Sequence, residues 1–442
     1  MFRYKKFIEQ SWSITWPMLI IMFFDFVMNM TDVYIAGLLG KEVQAALGMA
    51  NQTYYILTVV ANALTIGTIA VISRIFGSAE RDKELPSAIH TSVLIAGACF
   101  IVMTIIGVTL APAFIANMDI EESVKANAVD FMRIYCIGMF FHYMMIHFNG
   151  IMRACKLMRV SMKILMVASL TNVALNIIFV FYTPLGKDGI PLSTAICWTG
   201  ACLFALRIIR NLAKGEKKFS KELGKKLFNI SWPSGVVAFS WQFSSLVLYT
   251  IVGMLPVNSV ETMAAMTAGI RIESIIFMPA FAFNMANAVL VGNLLGEKKP
   301  DDAYTIGLVT GAIGVSTIIV LTIAVLAGAE PIANLIASRD AMGNIDPLVH
   351  KEIIRYLYIV MLSEPFVAAN LMFSGALAGA GDTRSLMKYT VFSLWIVRMP
   401  VAYIFGVVLG FGAPAIWWAM NITFFCQVTL SGRRYLSKKW MN

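Results

Sequence analysis

Apolar runs and the polar residues that interrupt them divide the chain into twelve windows of about 20 or more residues, each bounded by charges or by Gly, Pro and Asn. They fall at 12–39, 48–75, 87–116, 124–151, 158–182, 190–212, 229–256, 262–293, 302–330, 351–378, 386–410 and 413–436. Only helices suit runs of this length in hydrocarbon, because every backbone N–H and C=O must find a partner within its own segment. The expected fold class is an all-α integral membrane protein with twelve transmembrane helices. Arg3, Lys5 and Lys6 precede the first run, but that run is too long for a secretory signal core and has no small-residue cleavage site. It reads as a retained first helix.

The pattern occurs twice. Ile14-Thr15-Trp16-Pro17 opens the first long run and Ile230-Ser231-Trp232-Pro233 opens another, 216 residues later. Gly37 answers to Gly253, the Ala45-Ala46 pair to Ala264-Ala265, and Arg74-Ile75-Phe76-Gly77 to Asn293-Leu294-Leu295-Gly296 at an offset of 219. Phe148-Asn149-Gly150 and Phe373-Ser374-Gly375 lie 225 apart. A duplicated set of membrane-length runs marks a transporter built from two repeats, with its substrate path between them.

Composition agrees with lipid as the main solvent: 59% of residues are hydrophobic, 14% are charged, and the mean hydropathy is +0.75. The net charge of +10 would suggest nucleic acid in a soluble protein. Here the positive residues sit in short connections, so the positive-inside rule accounts for them and no nucleic-acid partner is expected. Arg3/Lys5/Lys6, Arg74/Arg81/Lys83, Arg153/Lys156/Arg159/Lys163, the stretch Arg207 to Lys226, Lys298/Lys299, Arg384/Lys388 and Arg433/Arg434/Lys438/Lys439 share one side. The other side holds only Lys41, Lys125, Lys187, Arg339 and Lys351, together with the acidic run Asp119-Ile120-Glu121-Glu122. Both termini are therefore expected in the cytoplasm. An even number of spans per half makes the lobes parallel. The expected organisation is an N-terminal six-helix lobe, 1–212, a basic cytoplasmic linker, 213–228, and a C-terminal six-helix lobe, 229–442. The linker lysines read as a solvated, headgroup-facing connector.

Ionisable groups at bilayer depth are costly and so are the first functional candidates. Asp25, Asn29 and Asp32 follow at spacings of four and three, on one face of the first helix. A carboxylate there either exchanges a proton, serves as an oxygen ligand for sodium, or is held by interhelical hydrogen bonds. Asn172 and Asn176 lie one turn apart on the fifth span, where amide oxygens suit the same tasks. In the second half the buried acids are Glu273 and Glu364. Pro365 is expected to loosen the helix beside Glu364 and leave carbonyls for a cation or a cationic substrate. Arg271 does not share a face with Glu273, so its partner lies on another helix, with Arg398 as the candidate. Asp130 and Arg133 read as a local ion pair. The 28 methionines and 12% aromatics either fill membrane helices or form surfaces adaptable to apolar ligands. His142 and His147 are five apart without HExxH context, and the six cysteines show no CxxC spacing and read as packing residues. With no GxSxG, no GxxxxGK[ST] and no zinc spacing, neither an enzyme nor a cofactor or metal centre is expected.

Four stretches together resemble the multidrug and toxic compound extrusion (MATE) transporters over nearly the whole chain: Asn29-x-x-Asp32-x-x-x-Ala36-Gly37, Arg271 through Phe281, Gly375 through Arg384, and Trp395-x-x-Arg398-x-Pro400-x-Ala402-Tyr403. The resemblance implies two six-helix lobes around a central cavity that opens alternately to each side. It implies export of organic cations or other amphipathic drugs in exchange for protons or sodium, with a monomer sufficing, in the plasma (inner) membrane. Asp32 falls on the family's coupling aspartate and Asn172 on the asparagine near it. Asn176 stands where many members carry an aspartate, which puts a proton-only mechanism in doubt. The seventh-helix glutamate of the sodium-coupled branch would fall near Trp241 or Gln242 and is absent, and the tenth-helix aspartate of that branch would fall near Val367, with Glu364 one turn earlier. The expected coupling site is thus Asp32, Asn29, Asn172 and Asn176, binding H+ or Na+, with Asp25, Glu273, Glu364, Gln242 and Arg398 as secondary candidates. The alternatives are a flippase of lipid-linked or amphipathic lipids, which would need a basic cavity, a membrane-embedded transferase, which would need an aspartate-rich or His/Asp motif, and a channel.

Overall fold

The computed structural model describes residues 2–117, 121–216, 218–336 and 346–441. Asp119, Ile120, Lys217 and Arg339, which entered the charge argument, lie outside the described residues. The first half forms α1 (Phe2–Leu39), α2 (Lys41–Gly77), α3 (Arg81–Ala116), α4 (Glu122–Ala154), α5 (Met158–Tyr182) and α6 (Gly189–Leu212). The second half forms α7 (Lys221–Gly253), α8 (Ser259–Gly296), α9 (Pro300–Ala327), the short α10 (Ala329–Ile336), α11 (Pro347–Ala380), α12 (Thr383–Val408) and α13 (Ala413–Leu436). Among the described residues, α1 to α9, α11 and α12 are long and apolar enough to cross a membrane. The twelfth expected span is α13. Its 24 residues reach about 36 Å at 1.5 Å per residue, and Asn421 and Gln427 dilute its apolar character.

The helices match in pairs. α4 and α11 begin at Glu122 and Pro347, and α5 and α12 at Met158 and Thr383, both 225 residues apart. The packing repeats as well. A Cβ on Gly150 would collide with the Thr65 methyl, and one on Gly375 with the Asn284 carbonyl. Gly375 matches Gly150 and Asn284 matches Thr65, so a close helix crossing that admits only glycine occurs at the same place in each half.

Two compact units result. One is Trp16–Gly235 with Gly296–Lys298; the other is Met1–Thr15, Val236–Leu295 and Lys299–Asn442. Each has its own apolar core. The first is built around Phe100, Tyr143 and Phe148, the second around Phe283, Tyr356 and Trp417. Both unit boundaries run through continuous helices, near Pro17 in α1 and Pro233 in α7. Just before Pro17, the Ser13 and Thr15 hydroxyls donate to the carbonyls of Gln10 and Ser11 at 2.8 Å.

Residues 221–228, assigned above to the linker, are already helical as the start of α7. The preceding segment keeps exposed side chains but is fastened by its backbone. Ser220 N–H donates to Thr91 Oγ1 at 3.0 Å, and Ser87 Oγ donates to the Lys218 carbonyl.

α12 is irregular. Its hydrogen bonding widens to π-helical over Phe392–Arg398 and again over Ala402–Val408, on either side of Met399–Val401. Pro400, which lacks an N–H, is the identifiable cause. In α11, Met361–Ser363 tightens to a 3₁₀ turn immediately before Glu364 and Pro365, which is where the sequence placed the loosened helix.

Candidate functional site

In the unit that carries residues 16–235, α1, α5 and α6 bring four polar side chains to one buried point. Asp32 is 4% exposed, and Asn172 and Asn176 are fully buried. Asn176 Nδ2 donates to Asp32 Oδ1 at 2.5 Å. Thr194 Oγ1 lies 3.5 Å from Asp32 Oδ2 and accepts from Asn172 Nδ2 at 3.0 Å. Asn172 Nδ2 also reaches Ser193 Oγ at 3.3 Å, whose own proton goes to the Ile190 carbonyl at 2.8 Å. The donors are thus spent on holding the cluster together.

The acceptors are not. Asn172 Oδ1 and Asn176 Oδ1 are buried and have no hydrogen-bond partner among the described residues. Among the described residues no Lys, Arg or His forms an ion pair with Asp32. A buried carboxylate with unpartnered amide oxygens on the neighbouring helix is an anionic oxygen cradle. It suits a proton on the carboxylate or a small hard cation.

The other first-half candidates lie apart from this point. Asn29 is exposed, and its amide donates to the Asp25 carbonyl one turn back at 2.8 Å. Asp25 is exposed and no hydrogen bond or ion pair is recorded for its side chain among the described residues. Asp130 meets Arg133 at 4.0 Å, the ion pair expected from their spacing, and also Lys187 at 3.2 Å.

The second unit gathers a different set. Glu273, Glu364 and Arg398 are 4%, 1% and 3% exposed. Arg398 and Glu364 both lie within electrostatic reach of Glu273. The direct partner of Glu273 is nevertheless Tyr356, whose hydroxyl donates to Oε1, and not Arg398 as expected from sequence. Trp417 backs the Tyr356 ring edge-on at 4.7 Å, and Gly269 leaves the space that ring occupies. The Arg398 guanidinium lies 5.2 Å from the Trp241 ring centre and 5.0 Å from that of Phe424, with Nε and Nη2 unpaired. Both carboxylate oxygens of Glu364 are without a hydrogen-bond partner among the described residues. Gln242 is half-buried beside Trp241 in sequence, with no side-chain partner recorded. Among the described residues no three His, Cys, Asp or Glu side chains group as a metal site, and all six cysteines are free thiols.

Matched positions therefore carry unlike chemistry. Asp32, Asn172, Asn176 and Ser193 correspond to Leu248, Val397, Val401 and Trp417, while Glu273, Tyr356, Glu364 and Arg398 correspond to Tyr54, Phe131, Met139 and Val173. Thr194, Ser193 and Tyr356 escaped the sequence reading. Hydroxyls in membrane helices usually bond their own preceding turn, as Thr53, Thr68 and Thr199 do, so their presence alone carries no signal.

Comparison with known proteins bears on the whole chain. The family model MatE matches twice, at residues 17–178 and 233–404, and its two starts repeat the offset of 216 between the Trp-Pro motifs. The uncharacterized transporter YisQ of Bacillus subtilis is 23% identical, over 97% of this chain and 94% of its own length. The probable multidrug resistance protein NorM of Thermotoga maritima is 24% identical, over 93% and 88%. Among solved structures, the outward-facing conformation of a multidrug resistance MATE family transporter of the MOP superfamily superposes with a TM-score of 0.89 at 19% identity, over 98% and 97% of the two chains. The bent form of the Vibrio cholerae MATE transporter VcmN gives 0.87 at 18%, over the full length of both.

Proposed function

The chain belongs to the MatE family of membrane transporters, and from that premise we propose that it is a secondary antiporter that exports organic cations or amphipathic drugs in exchange for protons or sodium. The observation that carries the reading is Asp32: a buried carboxylate without a cation partner among the described residues, held by Asn176 and Thr194 beside two amide oxygens that are likewise unpartnered there. In the proposed cycle a cation enters at Asp32 from the side where it is abundant. Its charge relieves the uncompensated carboxylate, and it favours whichever conformation binds it more tightly. A ligand shifts an equilibrium only by that difference in affinity. The substrate-releasing state is the one so favoured, and departure of the cation on the cytoplasmic side resets the transporter.

The relatives' names, multidrug resistance proteins among them, support drugs as the substrate class. The positive-inside pattern supports cytoplasmic termini and a plasma-membrane setting, and the compact cores of the two units support function as a monomer. Glu273, Glu364 and Arg398 form a second buried charged centre, to which this scheme gives a supporting place.

The decisive measurement is accumulation of a fluorescent cationic dye in inverted vesicles, driven separately by a proton and by a sodium gradient. One gradient should drive it, and Asp32→Asn should abolish that response while the protein remains folded and inserted. Full dye transport or full drug resistance in Asp32→Asn would overturn the assignment. Indifference of the wild type to both gradients would transfer it to a lipid flippase.

A further inference from the structure

His147 is fully buried in α4, and neither ring nitrogen has a hydrogen-bond partner among the described residues. Leaving two polar atoms dry at that depth is costly, so the site needs water or a proton carrier at both nitrogens. It is not isolated. Tyr143, one turn earlier on the same face, has a buried and unpartnered hydroxyl, and so has Thr104 on α3. Phe100, one turn before Thr104, packs against both the Tyr143 and His147 rings, at 5.4 and 6.1 Å. The matched residue in the second half is Met372, which packs well under Gly314. The fold therefore does not need a histidine here.

The file continues towards Asp32. The Tyr54 hydroxyl shares a 2.8 Å hydrogen bond with Nδ1 of His142, the residue before Tyr143 on α4, and the Tyr54 and His142 rings stack at 5.6 Å. Trp198 stacks on the His142 ring at 4.4 Å and fixes it. Tyr54 also packs against Tyr135 at 5.4 Å, and Tyr135 shares one packed core with Ile35 and Ala36, the next turn of the helix that carries Asp32.

We propose that the file Tyr135, Tyr54, His142, Tyr143 and His147 is the route by which the coupling proton passes between Asp32 and the end of α4 at Asn149 and Arg153. The proposal rests on the reading of Asp32 as the coupling acid. The proton leaves the Asp32 carboxyl, and each histidine takes one proton on one ring nitrogen and gives one up from the other, so no charge remains on the file. The Tyr143 and Thr104 hydroxyls hold the water that completes the passage at His147. Fixed charge is kept away from it. Between Arg133 and Arg153 on α4, between Glu42 and Arg74 on α2, from Leu85 to Ala116 on α3 and from Gly189 to Leu206 on α6 there is no Asp, Glu, Lys or Arg. The other titratable groups on these stretches are His90, Cys99 and Tyr55, with Cys136, Cys197 and Cys202, while α1 contributes Asp25 and Asp32 and α5 contributes Arg159 and Lys163 at its start.

The test uses the full chain in proteoliposomes with an internal pH indicator and ethidium as the exported cation. In the wild type a pH gradient drives ethidium exchange. His147→Met, which installs the residue found at the matched position, should slow that exchange about tenfold or more and change its solvent isotope effect, while ethidium affinity and melting temperature stay at wild-type values. Tyr143→Phe should slow it in the same way and covers the case in which His147→Met does not fold. Wild-type proton-driven rates in folded His147→Met and Tyr143→Phe would overturn the route, as would a wild type driven by sodium and indifferent to pH. Asp32→Asn at full rate would instead overturn the coupling acid itself, which separates the two failures.

Discussion

A buried carboxylate needs a proton, a cation or a set of donors, and at Asp32 the neighbouring groups supply donors at both oxygens and still leave two amide oxygens free. Thr194 is the joint of this arrangement, because it touches both Asp32 and Asn172. Thr194→Val keeps the shape and removes the hydroxyl. Cation affinity, read from the ion-dependent shift in melting temperature, should fall about tenfold, equivalent to about 1.4 kcal/mol. At Glu273 the support is Tyr356, and the ring fits because position 269 has no side chain. Gly269→Ala should displace that ring and destabilise the second unit by about 1–3 kcal/mol, measured by denaturation in detergent. Tyr356→Phe should cost about as much, because it strips a buried carboxylate of its donor. Asp32, Asn172 and Asn176 could be found from sequence because acids and amides stand out in apolar runs. Asn29 shows the limit of spacing arguments. It shares a nominal face with Asp32, but that face straddles the edge of the packed surface, so one residue is buried and the other exposed.

At the scale of elements, the matched glycines give a graded expectation. Gly375 lies against a backbone carbonyl, that of Asn284, whereas Gly150 lies against a side-chain methyl, that of Thr65. A methyl can move aside and a helix backbone cannot without moving the helix. Gly375→Ala should therefore lower the melting temperature more than Gly150→Ala, with the larger cost about 1–3 kcal/mol; equal effects would mean that the Thr65 methyl yields no more easily than the Asn284 backbone. The existence of the long helices was readable, since membrane-length apolar runs admit no other structure, whereas most of the eight-residue α10 lies outside the twelve windows. Helix ends were not always readable. The lysine-rich start of α7 looked like linker because charge, the cue used for boundaries, also suits a helix that has left the hydrocarbon. The π-helical turns of α12 follow from Pro400, but the sequence does not say whether a proline kinks a helix, widens it or begins a new one.

For the whole molecule, the duplication seen in sequence reappears in the double match to the family model and in the paired helices. Topology is directly testable. Four of the six native cysteines are buried and Cys99 and Cys426 are half-buried, so background labelling should be low. In that background a cysteine introduced at Lys6 or Ser437 should react with an impermeant maleimide only from the cytoplasmic face, and one at Lys125 only from the opposite face.

The course of α1 and α7 has a bearing on how such a protein can be divided or descended. Residues 1–15 belong to one unit and the rest of α1 to the other, and α7 does the reverse at Gly235. Gly67 packs beneath Ser231 and the Leu227 carbonyl, so the first unit incorporates a piece of chain that lies beyond the linker. Two genes cut at the linker would each yield a fragment that lacks one helical segment of its own unit and carries a segment of the other. An ancestral single-repeat protein would have met the same need by exchanging that segment with a second copy of itself. The full-length chain makes that exchange within one molecule.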